Sequence, residues 1–444
     1  MDFIDARRKA LPNLHLQTQN ISNAGIGAAR RIVMDQRTDV IQKLHADVER
    51  DSQEIQDFFI RMLRIKAVNP RMGGEGELDR AEFIESFLKK EGFSAARIDV
   101  EDGEFGKKRP NISAKLEGRG SRCLWFISHM DTVPEGSIEL WHSDPFEPVI
   151  KDGKITARGA EDNGQALVSS LFAFRELKKL GVSLPFNVGV WLVSDEEFGS
   201  TYGIKHLLEH NAFRKDDLVI VPDSGTPKGN DIEIAEKGLL WLKITTKGKQ
   251  VHASLPSKGL NARRVGMRLA IDLDESLNRK YAGKDPLFDE PRSTFEPTKS
   301  ELNVPNVNTI PGLDVSCFDC RVLPMHKLER IVSDVERIIR KHERKSRASI
   351  SLEVIQKESA GPATSEESEV AVLLAKAIRE VAKIKPRFVG IGGQTVGNLF
   401  RKQGIPTVVW STVDDVPHEP NEYSWVRNLI NDTKVFAVIP LLAE

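Results

Sequence analysis

At 444 residues the chain is too long for a single hydrophobic core and is expected to hold two or three domains. Its 64 Lys and Arg against 65 Asp and Glu leave a net charge of −1, so no overall field exists to draw it to nucleic acid or to an acidic membrane surface. Three cysteines (Cys123, Cys317 and Cys320) are too few for a disulfide framework, and no apolar window reaches the length of a membrane span; both point to the cytoplasm.

The first 50 residues are polar, and the 3–4 spacing of Ile, Val, Leu and Phe from "IGAARRIV" onward predicts long amphipathic helix, so residues 1–50 read as a helical extension. From about residue 80 strands and helices alternate. "CLWFIS" (123–128), "FNVGVWLVS" (186–194) and "DLVIVP" (217–222) are expected strands, with helices at "ALVSSLFAFRELKKLG" and "GIKHLLEHN" between them. Near-continuous apolar strands alternating with helices predict a mostly parallel sheet with helices on both faces, an α/β fold occupying residues 51–235. Residues 236–356 follow another order: strand "LLWLKITTKG", helix "NARRVGMRLAIDLDESL", strands "LNVPNVNTI" and "LDVSCFDCRV", helix "HKLERIVSDVERIIRKHER", strand "SISLEVIQK". That β-α-β-β-α-β succession predicts an inserted α+β ferredoxin-like domain. Cys317 and Cys320 fall on one of its strands, where side chains three apart point to opposite faces, so they are not expected to share a metal. From residue 357 to 444 the α/β pattern resumes, ending in the strand "IPTVVWS".

Unusual residues cluster just past the carboxyl ends of the expected strands. His129 and Asp131 follow "CLWFIS", Glu196 and Glu197 follow "FNVGVWLVS", Asp223 follows "DLVIVP", and His418 lies beyond "IPTVVWS". Asp162 and Asn163 open a helix in "ARGAEDNGQALVSS". Any one of these is an ordinary turn or cap residue. Parallel strands, however, bring their carboxyl ends to one edge, where ligands of open α/β sheets bind. Two histidines and several carboxylates gathered there suit divalent cations with nitrogen and oxygen ligands, zinc foremost. Charge favours two ions: Asp162, Glu197, Asp223 and a hydroxide balance a pair of Zn²⁺. Without cations the carboxylates would repel and take up protons. Asp162 is placed to bridge, and Asp131 to orient the His129 imidazole. Of Glu196 and Glu197, one can ligate while the other accepts the proton of an attacking water.

The motifs "SHMDTVP", "DPFEPVIKDGKITARGAEDNGQ", "SDEEFGS", "VHASLPSKGLNA", "NTIPG…DCRVLP" and "VPHEPNEY" occur in order. In this they resemble a zinc metallopeptidase family that includes acetylornithine deacetylase, succinyl-diaminopimelate desuccinylase, aminoacylase, carnosinase and bacterial dipeptidases. The resemblance covers roughly residues 55–440 and implies a zinc-exopeptidase-like fold with the inserted domain as a lid. It implies two Zn²⁺ per subunit, with Co²⁺ or Mn²⁺ as substitutes. His129 and Asp223 would hold one ion, Glu197 and His418 the other, and Asp162 would bridge through a loop with a cis peptide to Asn163. Glu196 becomes the general base and Asp131 a support for His129. His252 would donate to the oxyanion, often across a dimer made by the lids. Asn308, Arg321 and the Gly392-Gly393 loop would contact substrate. Where the family often shows Asp-Asn-Lys-Gly, this chain has Asp162-Asn163-Gly164-Gln165, which loses a charge near the site without touching a ligand, and Asp223 stands where deacylases mostly carry glutamate. The expected activity is therefore hydrolysis of a small peptide, with an N-acyl amino acid as the alternative substrate.

Overall fold

A computed structural model describes residues 23–443. Helix α1 (Asn23–Arg50) runs through the first of two compact units, which ends at Lys43. The earlier part of the expected N-terminal extension, residues 1–22, lies outside the described residues. The second unit begins at Leu44 and holds every other element.

That unit opens with α2 (Ser52–Leu63) and α3 (Leu78–Lys90), then the hairpin strands β1 (Ala95–Asp102) and β2 (Lys107–Leu116). There follow β3 (Cys123–His129), α4 (Ala166–Leu180), β4 (Asn187–Val193), α5 (Ile204–Glu209), β5 (Leu218–Thr226) and β6 (Asp231–Glu236). The lid comprises β7 (Gly238–Lys247), α6 (Ala262–Lys280), β8 (Thr294–Ser300), β9 (Leu313–Val322), α7 (Leu328–Ser346) and β10 (Ser349–Glu358). The chain then returns through α8 (Glu369–Val381), β11 (Arg387–Ile391), α9 (Gly397–Lys402), β12 (Thr407–Thr412) and α10 (Val426–Val438).

The large sheet has the order β1-β2-β4-β3-β5-β12-β6-β11, and its centre (β4, β3, β5, β12) is parallel throughout. All seven residues of β3 are buried, as a strand covered on both faces requires. Cys123, Trp125 and Ile127 pack with Ile204 and Leu207 of α5 and Phe400 of α9. On the opposite face Phe126 meets Phe436 of α10, with ring centroids 5.2 Å apart. The alternation of a single strand thus builds both halves of the core.

The lid sheet, ordered β8-β9-β7-β10, is antiparallel throughout. Leu240, Leu242 and Ile244 on one strand and Phe318, Cys320 and Val322 on its neighbour face α6 and α7. Those helices answer with Val265, Leu269, Leu273 and Leu277, an i, i+4 stripe, and with Ile331, Val335 and Ile338. The other sheet face carries Trp241, Asp319 and Arg321, so Cys317 on that face and Cys320 in the core do part to opposite sides.

One expected strand is corrected. Of "LNVPNVNTI" only Thr309–Ile310 is extended in a ladder, and the sheet strand comes earlier, at Thr294–Ser300. Pro305 and three asparagines disfavour a strand in the first segment. Pro297 in the second is tolerated because β8 is an edge strand with a register shift between Pro297 and Lys299.

Candidate metal centre

The parallel centre of the sheet delivers each ligand candidate to the same edge. His129 is the last residue of β3, Asp223 lies in β5, Glu196 and Glu197 form a 3₁₀ turn two residues past β4, and His418 follows β12. Asp162 enters from the segment before α4, where the peptide to Asn163 is cis. Two groups result: His129, Asp162 and Asp223, and Asp162, Glu197 and His418. Asp162 belongs to both because its oxygens divide: Oδ1 is 2.9 Å from His129 Nε2 and Oδ2 is 3.0 Å from His418 Nε2. Asp223 Oδ1 lies 3.4 Å from His129 Nε2, and Glu197 Oε2 lies 3.1 Å from His418 Nε2.

This donor set fits a pair of divalent cations. Each group offers one imidazole nitrogen and carboxylate oxygens, a mixture suited to zinc. The electrostatics agree. Burial and the charge of Asp162 push the Glu197 carboxyl up to about 7, and burial with Asp223 holds Glu196 well above the carboxylate range. Hydrogen bonds to Asp162 and Glu197 carry the His418 imidazole up to about 10. Burial would lower the His129 imidazole, but Asp223, Asp131 and Asp162 outweigh it and raise it. Negative charge is in excess here, which cations offset.

Supporting groups fix these side chains. His129 Nδ1 donates to the backbone carbonyl of Asp131 at 3.0 Å, while the Asp131 carboxylate stays 3.6 Å away. The expected orienter of His129 is therefore the Asp131 main chain, and a carbonyl, which can only accept, places the proton on Nδ1. The Asp131 carboxylate serves the neighbouring turn instead: it accepts from the N–H groups of Glu196 (3.0 Å) and Glu197 (3.2 Å) and from Asn69 Nδ2 (2.8 Å). Behind it, buried Arg109 pairs with Glu77 at 2.6 Å, Asp102 at 3.2 Å and Asp195 at 3.4 Å. Glu422 is fully buried and accepts from the N–H groups of Gly159 (3.0 Å), Glu161 (2.8 Å) and Asp162 (3.0 Å) and from Arg158 Nη1 (2.7 Å). Arg158 in turn donates to the His418 carbonyl at 3.3 Å. The Asp162 segment and the His418 loop are thereby held as one piece.

Two adjoining cavities open at this edge. One of about 200 Å³ is lined by Asp162, Glu197, Asp223 and His418, and one of about 270 Å³ by residues of both lobes, including Arg321. Glu196, Glu197, Gln394 and Thr395 line both. Gly393 immediately precedes Gln394. Arg321 Nη1 donates to the Gly392 carbonyl at 3.1 Å, bringing lid and loop together. His252 and Asn308 are elsewhere. They sit on the ribbon that pairs Val251–His252 with Thr309–Ile310, exposed, with His252 Nδ1 2.7 Å from Ser254 Oγ, and they line neither cavity. Gln165 touches no ligand candidate; its amide donates to the Thr412 carbonyl at 2.9 Å and to Asp432 at 3.0 Å.

Sequence reading missed Asn69, Glu77, Arg109, Arg158 and Glu422. The last two stand inside quoted motifs and could have been suspected as buried partners. The others have no local pattern to mark them.

Residues 125–441 match the family described as Peptidase family M20/M25/M40. An uncharacterized metallohydrolase of Methanocaldococcus jannaschii is 40% identical over 394 residues, covering 84% of this chain and 96% of that protein. The succinyl-diaminopimelate desuccinylase of Rickettsia rickettsii is 29% identical over 373 residues, 83% of this chain and 94% of its own. Among solved structures, human carnosine dipeptidase 1 shares the fold with a TM-score of 0.69 at 19% identity, covering 90% of this chain and 98% of that one. With its metal-ligand candidates at one sheet edge and a family match over most of its length, the chain belongs to peptidase family M20/M25/M40 and is a metal-dependent hydrolase of amide bonds.

Proposed function

We propose that the protein is a dinuclear zinc peptidase of small substrates, most plainly a dipeptidase. The observation that carries the reading is the division of the two Asp162 oxygens between His129 and His418. His129 and Asp223 would hold one zinc, Glu197 and His418 the other, with Asp162 between them. Bound there, the ions supply Lewis-acid polarisation of the amide carbonyl and acidify a water. Glu196 takes the proton of the attacking water and passes it to the leaving nitrogen. Both glutamates line the two cavities, but the Glu197 carboxylate is engaged by Val133 N–H at 3.2 Å and by His418, which suits a ligand and leaves the base to Glu196. Asp131 fixes the pair by holding both of their N–H groups. Arg321, its guanidinium already paired with Asp319, and the Gly393 loop contact the substrate from the lid side.

His252 and Asn308 act in this reading across a dimer, donating to the partner's site. The outward face of α6 supports such an association: Met267 and Ile271 are exposed there beside edge strand β8. Likeness in fold to a carnosine dipeptidase, and aspartate rather than glutamate at position 223, favour peptides. Similarity to the Rickettsia desuccinylase favours a second reading, removal of an acyl group from an amino acid. Hydrolysis by the zinc-loaded protein of free dipeptides beside matched N-acetyl and N-succinyl amino acids separates them. Cleavage confined to substrates with a free amino group is expected; preference for acylated amines would establish the deacylase.

A further inference from the structure

We propose that Lys205 recognises a carboxylate at the far end of the substrate, so that the preferred amides carry an additional acidic group on the arm that enters the lid-side cavity. This inference rests on the hydrolase reading and adds the substrate's charge to it.

The lid-side cavity continues from the metal centre through Glu196, Glu197, Gln394 and Thr395, which line both spaces. Apart from those metal-centre acids, its charged lining is Lys205 of α5, Arg321 of β9 and Glu358 of β10. The last two are satisfied internally. Arg321 is gripped by Asp319 through Nε at 2.7 Å and Nη2 at 3.0 Å. Glu358 is paired with Lys402. Lys205 alone is left over: its only carboxylate within ion-pair range is Glu358 at 4.0 Å, beyond hydrogen-bond length, and among the described residues its ammonium makes no hydrogen bond. The ammonium stands over Gly199, 3.9 Å from where a Cβ on that glycine would lie, directly beyond the turn that carries Glu196 and Glu197. Its side chain is 39% exposed, so it is neither sunk in the core nor fully in bulk water.

Those pairings leave the cavity one net positive charge outside the metal centre. Apolar lining is limited to Leu239, Val396 and Leu399. A neutral apolar arm would therefore bury little surface and leave the ammonium partly desolvated without a partner. A carboxylate would satisfy it as a compact point charge. Gln356, placed where β10 shifts register between Val354 and Gln356, adds an amide to the same wall. An acidic side chain of a peptide and the free end of a dicarboxylic acyl group present the same chemistry to Lys205.

Binding tests this without relying on turnover. The zinc-loaded full chain is titrated calorimetrically with straight-chain dicarboxylates from succinate to pimelate and with the monoamide of each. At the length that fits, the diacid should bind about tenfold tighter than its monoamide. The preference should vanish in Lys205→Met and persist in Lys205→Arg. Equal binding of diacid and monoamide at every length, or a preference that survives Lys205→Met, would overturn the assignment. Turnover of Ala-Glu against Ala-Gln, and of N-succinyl against N-propionyl amino acids, then tells which source of the carboxylate is used. KM for the acidic member should rise about tenfold in Lys205→Met while kcat is kept. Failure on all four substrates would remove both the dipeptidase and the deacylase reading, while the calorimetric preference would still decide the role of Lys205.

Discussion

Asp162 shows how a single carboxylate is made to serve two histidines. Its backbone N–H is held by Glu422, whose carboxylate also takes Arg158, so its position is set by groups remote in sequence. Breaking a buried pair by removing one partner typically costs 3–5 kcal/mol, and Glu422→Ala should lower unfolding stability by about that amount in denaturant titrations. Zinc affinity should weaken with it, because the variant frees both the Asp162 segment and the His418 loop. Glu196→Gln should behave differently: turnover falls by about 10²-fold or more while zinc content stays at the wild-type level. Loss of zinc together with activity would make Glu196 a ligand and exchange its role with Glu197. The residues proposed as ligands were legible in the sequence because they stand just past apolar strands, where a parallel sheet collects them. Asn69, Glu77 and Arg109 were not, since each makes sense only through a partner that tertiary structure brings near. His129 marks a subtler limit. Its spacing to Asp131 suggested a carboxylate orienter, and main-chain direction, invisible in sequence, gave that role to the carbonyl.

Two carboxylates tie the lid helices to each other. Asp272 of α6 accepts from Lys341 at 2.9 Å and lies 3.0 Å from His342 Nε2, both on α7. Asp334 of α7 accepts from Tyr281 at 2.6 Å and pairs with Lys280 at the end of α6. The Lys341 bond, with His342, brings Asp272 down to about 2. Burial opposes the same shift at Asp334, but Lys280, Tyr281 and Arg337 overcome it and hold that group at about 2 as well. A folded pKa below the unfolded value of about 3.9 means stability present above pH 4 and lost as pH falls toward 2. The lid should therefore loosen between pH 4 and pH 2, and Asp334→Asn should remove that part of the dependence, at a cost of about 2 kcal/mol at neutral pH. Melting temperature followed against pH in the two proteins checks it; identical profiles would deny the tie. At this scale the order of lid elements was readable from periodicity. Strand β8 was not: it carries Pro297 and buries only Phe295, so no alternating apolar pattern marks it, and its ladder is supplied by β9.

Across the whole molecule the lid and the α/β lobe are joined at Lys237 and past Glu358, and Gln394 donates to the carbonyls of both residues at 2.9 and 3.3 Å. The loop lining both cavities is thereby pinned to both crossings, so movement of the lid would be felt at the substrate. The α/β lobe and its insertion were legible because alternating and ladder-forming segments differ in pattern. The distance of His252 from both cavities was not, because its motif says nothing of where the Val251–His252 ribbon sits relative to the sheet edge. In the proposed dimer Ile271→Asp should shift the mass in solution from twice that of the chain to that of the chain, and lower kcat by withdrawing His252 from the partner's site. A wild-type protein that is already monomeric would end that proposal. No helix among the described residues is long and apolar enough to cross a membrane. The proposed chemistry depends on two cations sharing Asp162. Titrating metal-free protein with Zn²⁺ by calorimetry, with hydrolysis recorded at each addition, tests it most directly. Two zinc ions per chain, falling to one in His418→Ala with loss of turnover, is the result expected; a single zinc per chain in the fully active wild type would contradict it.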